Sequence, residues 1–185
     1  MKILTLYYSK SGNTKKIAEA IHNIASINNE ASLKSLKEIN DTDLNNYDFI
    51  FLGAPCHHST LAKVILSYIE KIPYKPSFKL AGFYTHSTVH ADGTERNDYL
   101  FNKWAGRSKK AFDNLAKEKE IELLGQFHCQ GSASFLIEKF IRSQIIKNKA
   151  EWVPYRKEMR LHPTNEDIEN AKEFAKMIII KADIS

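Results

Sequence analysis

The chain has 185 residues, 43% hydrophobic and 26% charged, which is enough apolar material for one packed domain and too little polar sequence for a disordered one. Its formal charge of +5 does not signal nucleic acid, because Lys and Arg interleave with Glu, as in Lys117-Glu118-Lys119-Glu120, and the densest cluster, Arg107-Ser108-Lys109-Lys110, is short. No apolar run is long enough to span a bilayer, no cleavage site follows the first one, and two cysteines exclude a disulfide framework or a four-thiolate iron–sulfur cluster, so a cytoplasmic protein off the membrane is expected.

Ile3 to Tyr8 is a near-continuous apolar run, the pattern of a buried strand. After it, Ile17, Ala18, Ile21, Ile24 and Ala25 repeat at helical spacing and predict a helix over 14–27. The residues between, Ser9-Lys10-Ser11-Gly12-Asn13-Thr14, therefore form a strand-to-helix loop. Its chemistry suits an anion. The first amides of a helix have no partner within it and sit at the positive end of its dipole. Ser9, Ser11 and Thr14 add hydroxyl donors, and Gly12 and Asn13 tolerate the backbone angles of a loop that wraps a ligand. Taken singly, Ser11 or Asn13 also reads as an ordinary helix cap. There is no Gly-x-Gly-x-x-Gly, and the Lys of a nucleotide triphosphatase loop is missing after Gly12.

Residues 31–36 are a weak strand, 40–46 a polar loop, and Tyr47 to Ala54 a strongly apolar strand that Pro55 stops. Leu61, Val64, Ile65, Tyr68 and Ile69 mark a second helix ending before Pro73, and Lys79 to Thr85 the next strand, with a polar loop over 86–97. One further helix carries Leu100, Trp104, Ala111, Phe112 and Leu115, and 122–130 is a fifth strand. Residues 131–163 are less regular: Phe135 to Ile146 has a helical pattern, and Trp152, Pro154 and Tyr155 read as a packed loop. Thr164 or Asn165 caps a last helix with Ile168, Ala171, Ala175 and Ile178 inward.

Strands that alternate with helices and read as apolar runs mean a doubly wound parallel sheet covered on both faces, a three-layer α/β/α domain over 1–185 with an irregular insertion at about 131–163. Five strands take the order 2-1-3-4-5, with a ligand crevice at the carboxyl ends of strands 1 and 3. Other uses of such a sheet are missing: Ala62 and Phe135 stand where the Arg of a Cys-x5-Arg phosphatase loop would be, and Gly53-Ala54 where a receiver domain needs Asp. Strand 4 separates Cys56 from Cys129 by roughly 9–10 Å, too far for a disulfide.

The loop Ser9 to Thr14 resembles the phosphate loop of the flavodoxin family, Ser/Thr-x-Ser/Thr-Gly-Asn-Thr, at all six positions. The strand end Gly53-Ala54-Pro55 and His162-Pro163 before a helix with Asn165, Asp167 and Ala171 extend the resemblance over essentially the whole chain. It implies a flavodoxin-like fold and flavin mononucleotide (FMN) as cofactor. Ser9, Ser11, Gly12, Asn13 and Thr14 would hold the phosphate; Pro55, Cys56, His57, His58 and Ser59 on one side, and Thr85, His86, Ser87, Thr88 and His90 on the other, would hold the ring.

The departures from that pattern shape the function expected. Flavodoxin carriers stack aromatics on the flavin, have a Gly in the loop after strand 3 and are acidic; here that loop is Cys56-His57-His58, the only nearby aromatic is Tyr84, and the chain is basic. The expectation is an FMN-dependent oxidoreductase that takes electrons from NAD(P)H and reduces a quinone or similar small acceptor. A one-electron carrier between proteins is the alternative, and a cofactor-free binding module the second. Four of the seven histidines, His57, His58, His86 and His90, fall in the two ring loops, where an imidazolium at the N1–C2 edge would stabilise the reduced ring. The alternative is that they are simply exposed polar residues. No metal site is expected, because His86-x-x-x-His90 with Cys56 defines a face only on a helix. Phe135, Leu136, Ile137, Phe140 and Ile141 exceed what one helix face needs, so a lid over the ring, or a second subunit in a homo-oligomer, should cover some of them.

Overall fold

The apolar runs become a parallel sheet because each is flanked by turn and helix signals that return the chain to the same edge. The computed structural model describes residues 1–39 and 41–184, with the backbone alone at 41–43. In order it forms β1 (Lys2–Tyr7), α1 (Asn13–Ala25), β2 (Glu30–Ser35), β3 (Phe49–His57), β4 (Thr60–Leu61), α2 (Lys63–Ile69) and β5 (Lys79–His86). Then follow α3 (Glu95–Trp104), α4 (Gly106–Lys119), β6 (Leu123–Gln130), α5 (Phe135–Phe140), α6 (Lys149–Met159) and α7 (Asn165–Ile184). The long strands lie in the order β2-β1-β3-β5-β6, the expected order once two-residue β4 is set aside. Leu4 sits between Ser32 and Ile50, which places the ends of β1 and β3 side by side.

Alternation along the strands divides the core. Ile3, Phe49, Phe51 and Phe83 pack under Ile17 and Ile21 of α1 and Phe174 and Ile178 of α7. Leu6, Ile50, Leu52 and Leu80 pack under Ile65 and Tyr68 of α2 and Phe112 and Leu115 of α4. No helix among the described residues is long and apolar enough to cross a membrane.

The chain departs from its sequence reading in four places. Pro55 does not stop β3, which runs on to His57. Gly53 and Pro55 point their backbone groups toward β1: Gly53 still accepts from Tyr8, but β1 ends there, so the missing N–H of Pro55 leaves no ladder bond unmade. The single helix expected over Leu100 to Leu115 is two helices, broken at buried Ala105, whose backbone (φ −137°, ψ −22°) is not helical. The segment 131–163 is largely helical: Asn148 Oδ1 accepts from Ala150 N at 2.9 Å and starts α6, within which Pro154 is accommodated, so Trp152 and Tyr155 lie on a helix and not in a loop. Within the expected polar loop, Asp41–Asn46 is a 3₁₀ turn, and Asn40 lies outside the described residues.

One buried charge fastens α5 to α6. Glu138 is 4% exposed and accepts from Arg160 Nε at 2.5 Å, Arg160 Nη2 at 2.9 Å and Arg156 Nε at 2.8 Å. The bonds from Arg160, then Arg156, hold its carboxyl below the usual glutamate range against the opposing effect of burial. A lowered folded pKa means that this stabilisation is complete above about pH 4.5 and is lost as the pH falls below it. Glu138→Gln should cost about 1–2 kcal/mol, at the low end for a buried ion pair because both guanidinium groups are half-exposed. Thermal melts at pH 7 and pH 3.5 check this; the gap between wild type and variant should shrink at the lower pH.

Candidate functional site

The first loop turns on a glycine. Gly12, at φ 92°, is the N-cap of α1, and its amide donates to Ser9 Oγ at 3.1 Å. No side chain caps α1 and no acidic residue stands in its first turn, so neither Ser11 nor Asn13 is the cap. Ser11, Lys10 and Asn13 line the cavity that begins there. Two of the expected donors are already engaged within the fold. Ser9 bonds within its own loop, and buried Thr14 shares a 2.9 Å hydroxyl–hydroxyl bond with Thr85 across the sheet. Asn13 Nδ2 donates to Ser132 O at 2.8 Å and Asn13 Oδ1 accepts from Ser132 Oγ at 3.0 Å, which ties the loop after β6 to the head of α1. A Cβ on Gly131 would lie 2.8 Å from Asn13 Nδ2, so only glycine allows that approach.

The loop after β3 is a β-hairpin. β4 folds back with Cys56 opposite Leu61 and His57 opposite Thr60, and the two turn residues, His58 (φ 51°) and Ser59 (φ 70°), are both left-handed. Arg107 Nη2 donates to His58 O at 2.7 Å and holds the turn. Pro55, Cys56, His57, His58 and Ser59 all line the cavity, as do Thr85, His86, Ser87 and Thr88 from the end of β5. His90 does not; it lies beside His86, with ring centroids 5.4 Å apart. Tyr155 of α6 donates its hydroxyl to Ser87 O at 2.8 Å, which fastens the third loop from above.

The cavity is about 710 Å³, in the range of sites for cofactor-sized ligands. Among the described residues its lining contains no carboxylate, and Lys10 is its one Lys or Arg. Burial holds His57 below the ordinary histidine range, with His58 and Lys10 adding to the effect. His86 is pushed much further down, by burial first and then by His128 and His90. Both shifts favour the neutral ring at pH 7, most strongly for buried His86. Burial also raises the Cys56 thiol, whose Sγ donates to Trp104 O at 3.4 Å.

Sequence reasoning missed two parts of this site. Tyr84, the aromatic expected near the ring, is buried and stacks on His128 at 5.1 Å. The cavity aromatics outside the ring loops are Trp104, which follows the core-facing Leu100 just before the break at Ala105, and Phe140, packed edge-on against it at 5.3 Å. Ile137, Phe140, Ile141 and Ile145 continue that apolar wall, so the 131–163 segment covers the cavity from one side, while Phe135 and Leu136 stay 63% and 75% exposed. The second part is Gly131–Ser134, four small residues in the cavity lining; Gly131 was the signal.

Residues 4–176 match the family model of the flavodoxin domain. The flavodoxin-like domain-containing protein BilS of Clostridioides difficile is 33% identical over 191 residues, an alignment that spans 100% of this chain and 99% of that one. An uncharacterised protein of Methanocaldococcus jannaschii is 30% identical over 185 residues, spanning 97% and 99%. Among solved structures, oxidised flavodoxin 2 from Bacillus cereus shares the fold with a TM-score of 0.64 at 20% identity, over 98% of this chain and 99% of that one.

Proposed function

We propose, from the premise that this chain belongs to the flavodoxin domain family, that it is a redox protein holding FMN in the cavity, with the phosphate at the head of α1. The observation that carries the reading is the polarity of that end: a helix N-terminus without a side-chain cap, flanked by Lys10 and Ser11, in a cavity whose lining, among the described residues, has no carboxylate. A dianion there meets open amides and the positive end of the dipole with no competing charge. The residues fit the group. Cys56 to Ser59 would lie along one side of the ring and Thr85 to Thr88 along the other, with Trp104 excluding water from an edge. FMN, when bound, supplies the ring that accepts and gives up electrons.

Fluorescence titration with FMN and with riboflavin tests the phosphate site. Two charge-assisted bonds at about 1.5 kcal/mol each correspond to an FMN preference on the order of 100-fold. Equal affinities would remove the phosphate from the loop, and failure of both to bind would favour the cofactor-free module.

Within this reading the protein acts as an oxidoreductase, taking electrons from NADH or NADPH and passing them to a quinone or similar flat acceptor. The apolar wall of Trp104, Ile137, Phe140 and Ile141 favours this, since it offers a planar molecule a dry surface beside the ring loops. The electron-carrier alternative draws on Phe135 and Leu136, whose exposed side chains offer a protein partner an apolar contact. Loss of flavin absorbance on adding NADH or NADPH supports the enzyme; no change with either supports the carrier.

A further inference from the structure

Next to His86, and outside the cavity lining, lie three further histidines that the sequence scatters along the chain. His86 ends β5, His128 is in β6, His90 follows β5 in its loop, and His162 precedes α7. Parallel register sets His128 beside Tyr84, two residues before His86 on the same face of the sheet, so both imidazoles project to one side. His86 Nε2 and His128 Nδ1 are 3.2 Å apart, and the donor atoms of His86, His90 and His128 all lie within 4.8 Å of one another. His90 is shared with a second group: its donor atom and those of His162 and Asp167 again lie within 4.8 Å of one another.

The hydrogen bonds around the cluster fix where the ring protons sit. His86 Nδ1 is 3.2 Å from the carbonyl of Thr88, which can only accept, so Nδ1 carries the proton and the Nε2 lone pair accepts from His128 Nδ1 at 3.2 Å, a bond that a shared ion would replace. His162 Nδ1 is 2.6 Å from Asp167 Oδ2, a carboxylate held in place by Thr164 N at 2.7 Å and Thr164 Oγ1 at 3.0 Å. His162 thus also keeps its proton on Nδ1 and leaves Nε2 bare. An imidazole whose N–H is fixed by a carbonyl or carboxylate, with the other nitrogen bare, is the orientation that metal-binding histidines adopt. The separation agrees: two nitrogens bound at about 2.0–2.1 Å to one tetrahedral ion are roughly 3.3–3.4 Å apart. Imidazole donors without thiolate select borderline cations such as zinc, copper, nickel or cobalt over magnesium or calcium.

We propose that His86, His90 and His128, with His162 as fourth ligand, bind one divalent transition-metal ion that clamps the loop after β5 to β6 and to the start of α7. The sequence reading set His86 and His90 with Cys56 aside and expected no metal; that thiol donates to Trp104 O. His128 takes its place, through a strand register that spacing alone does not reveal.

Untagged protein, stripped with a chelator, is titrated with Co²⁺ and then Zn²⁺. One equivalent of Co²⁺ should produce the visible bands of a four-coordinate nitrogen site, and Zn²⁺ should abolish them. His90→Ala, at an exposed position, and His128→Gln should each weaken Zn²⁺ binding by more than the 10–100-fold that loss of an outer partner costs, while His22→Ala on α1 should not. Circular dichroism of each variant shows whether it has folded. Absence of stoichiometric binding to the wild type, or wild-type affinity in folded His90→Ala, overturns the proposal.

Discussion

Gly53→Ala should destabilise the protein by about 3 kcal/mol or more, and Phe83→Leu should cost less in that chain than it does in the wild type. Gly53 stands in the middle of the sheet with Tyr7 beside it on β1 and Phe83 on β5. The Phe83 ring lies directly over it: a Cβ on Gly53 would overlap Cζ and Cε2 of that ring and come within 2.8 Å of Cε1. Phe83 has no room to withdraw, since it is fully buried with Ile17 and Ile21 of α1 packed in the same core. Strand propensity alone would make alanine better than glycine by about 0.5–1 kcal/mol, so the sign of the result reports the clash. Overpacking of a close-packed core costs about 1–3 kcal/mol and more when backbone must shift. Leucine lacks the Cε and Cζ atoms that collide. Phe83→Leu alone should cost about 1–2 kcal/mol through the space it leaves, and the double variant should be more stable than the two single losses predict, by about 1–3 kcal/mol. Denaturant unfolding of the four proteins measures the coupling. A Gly53→Ala chain as stable as wild type would show that the ring is free to move.

What the sequence made legible follows how local each signal is. The loop from Ser9 to Thr14 stood out because its six residues are consecutive and sit between a strand and a helix. Strand order followed from apolar runs and right-handed crossovers, which need no side-chain detail. The hairpin after β3 was hidden because its left-handed turn residues are His58 and Ser59, where Asn or Gly would have announced it. Trp104 was assigned to the core because the helical period runs unbroken through Ala105, although Gly106 directly after it was a hint of the break. Pro154 disguised α6 as a loop. His128 was invisible for a different reason: only the register of β5 against β6 brings it to His86.

Ser11→Glu should raise the dissociation constant for FMN by on the order of 100-fold or more while leaving that for riboflavin nearly unchanged. Ser11 is exposed, lines the cavity next to Lys10, and precedes the Gly12 cap of α1. The change removes a hydroxyl donor to a charged oxygen, worth about 1.5–3 kcal/mol, and puts a carboxylate beside a dianion. At about 4 Å and an effective dielectric near 20, each pair of like unit charges costs about 4 kcal/mol, reduced here by solvent and salt because the loop is open. The free protein should respond in the opposite direction. A carboxylate at the head of a helix interacts favourably with its dipole by about 0.3–1 kcal/mol, so the flavin-free variant should melt no lower than wild type. That opposition separates damage to the site from damage to the fold. Raising the ionic strength should weaken FMN binding to the wild type and narrow its gap to the variant, because the added repulsion is the part that salt screens. Equal FMN affinities for the two proteins at low salt would mean that the phosphate docks elsewhere than at the head of α1.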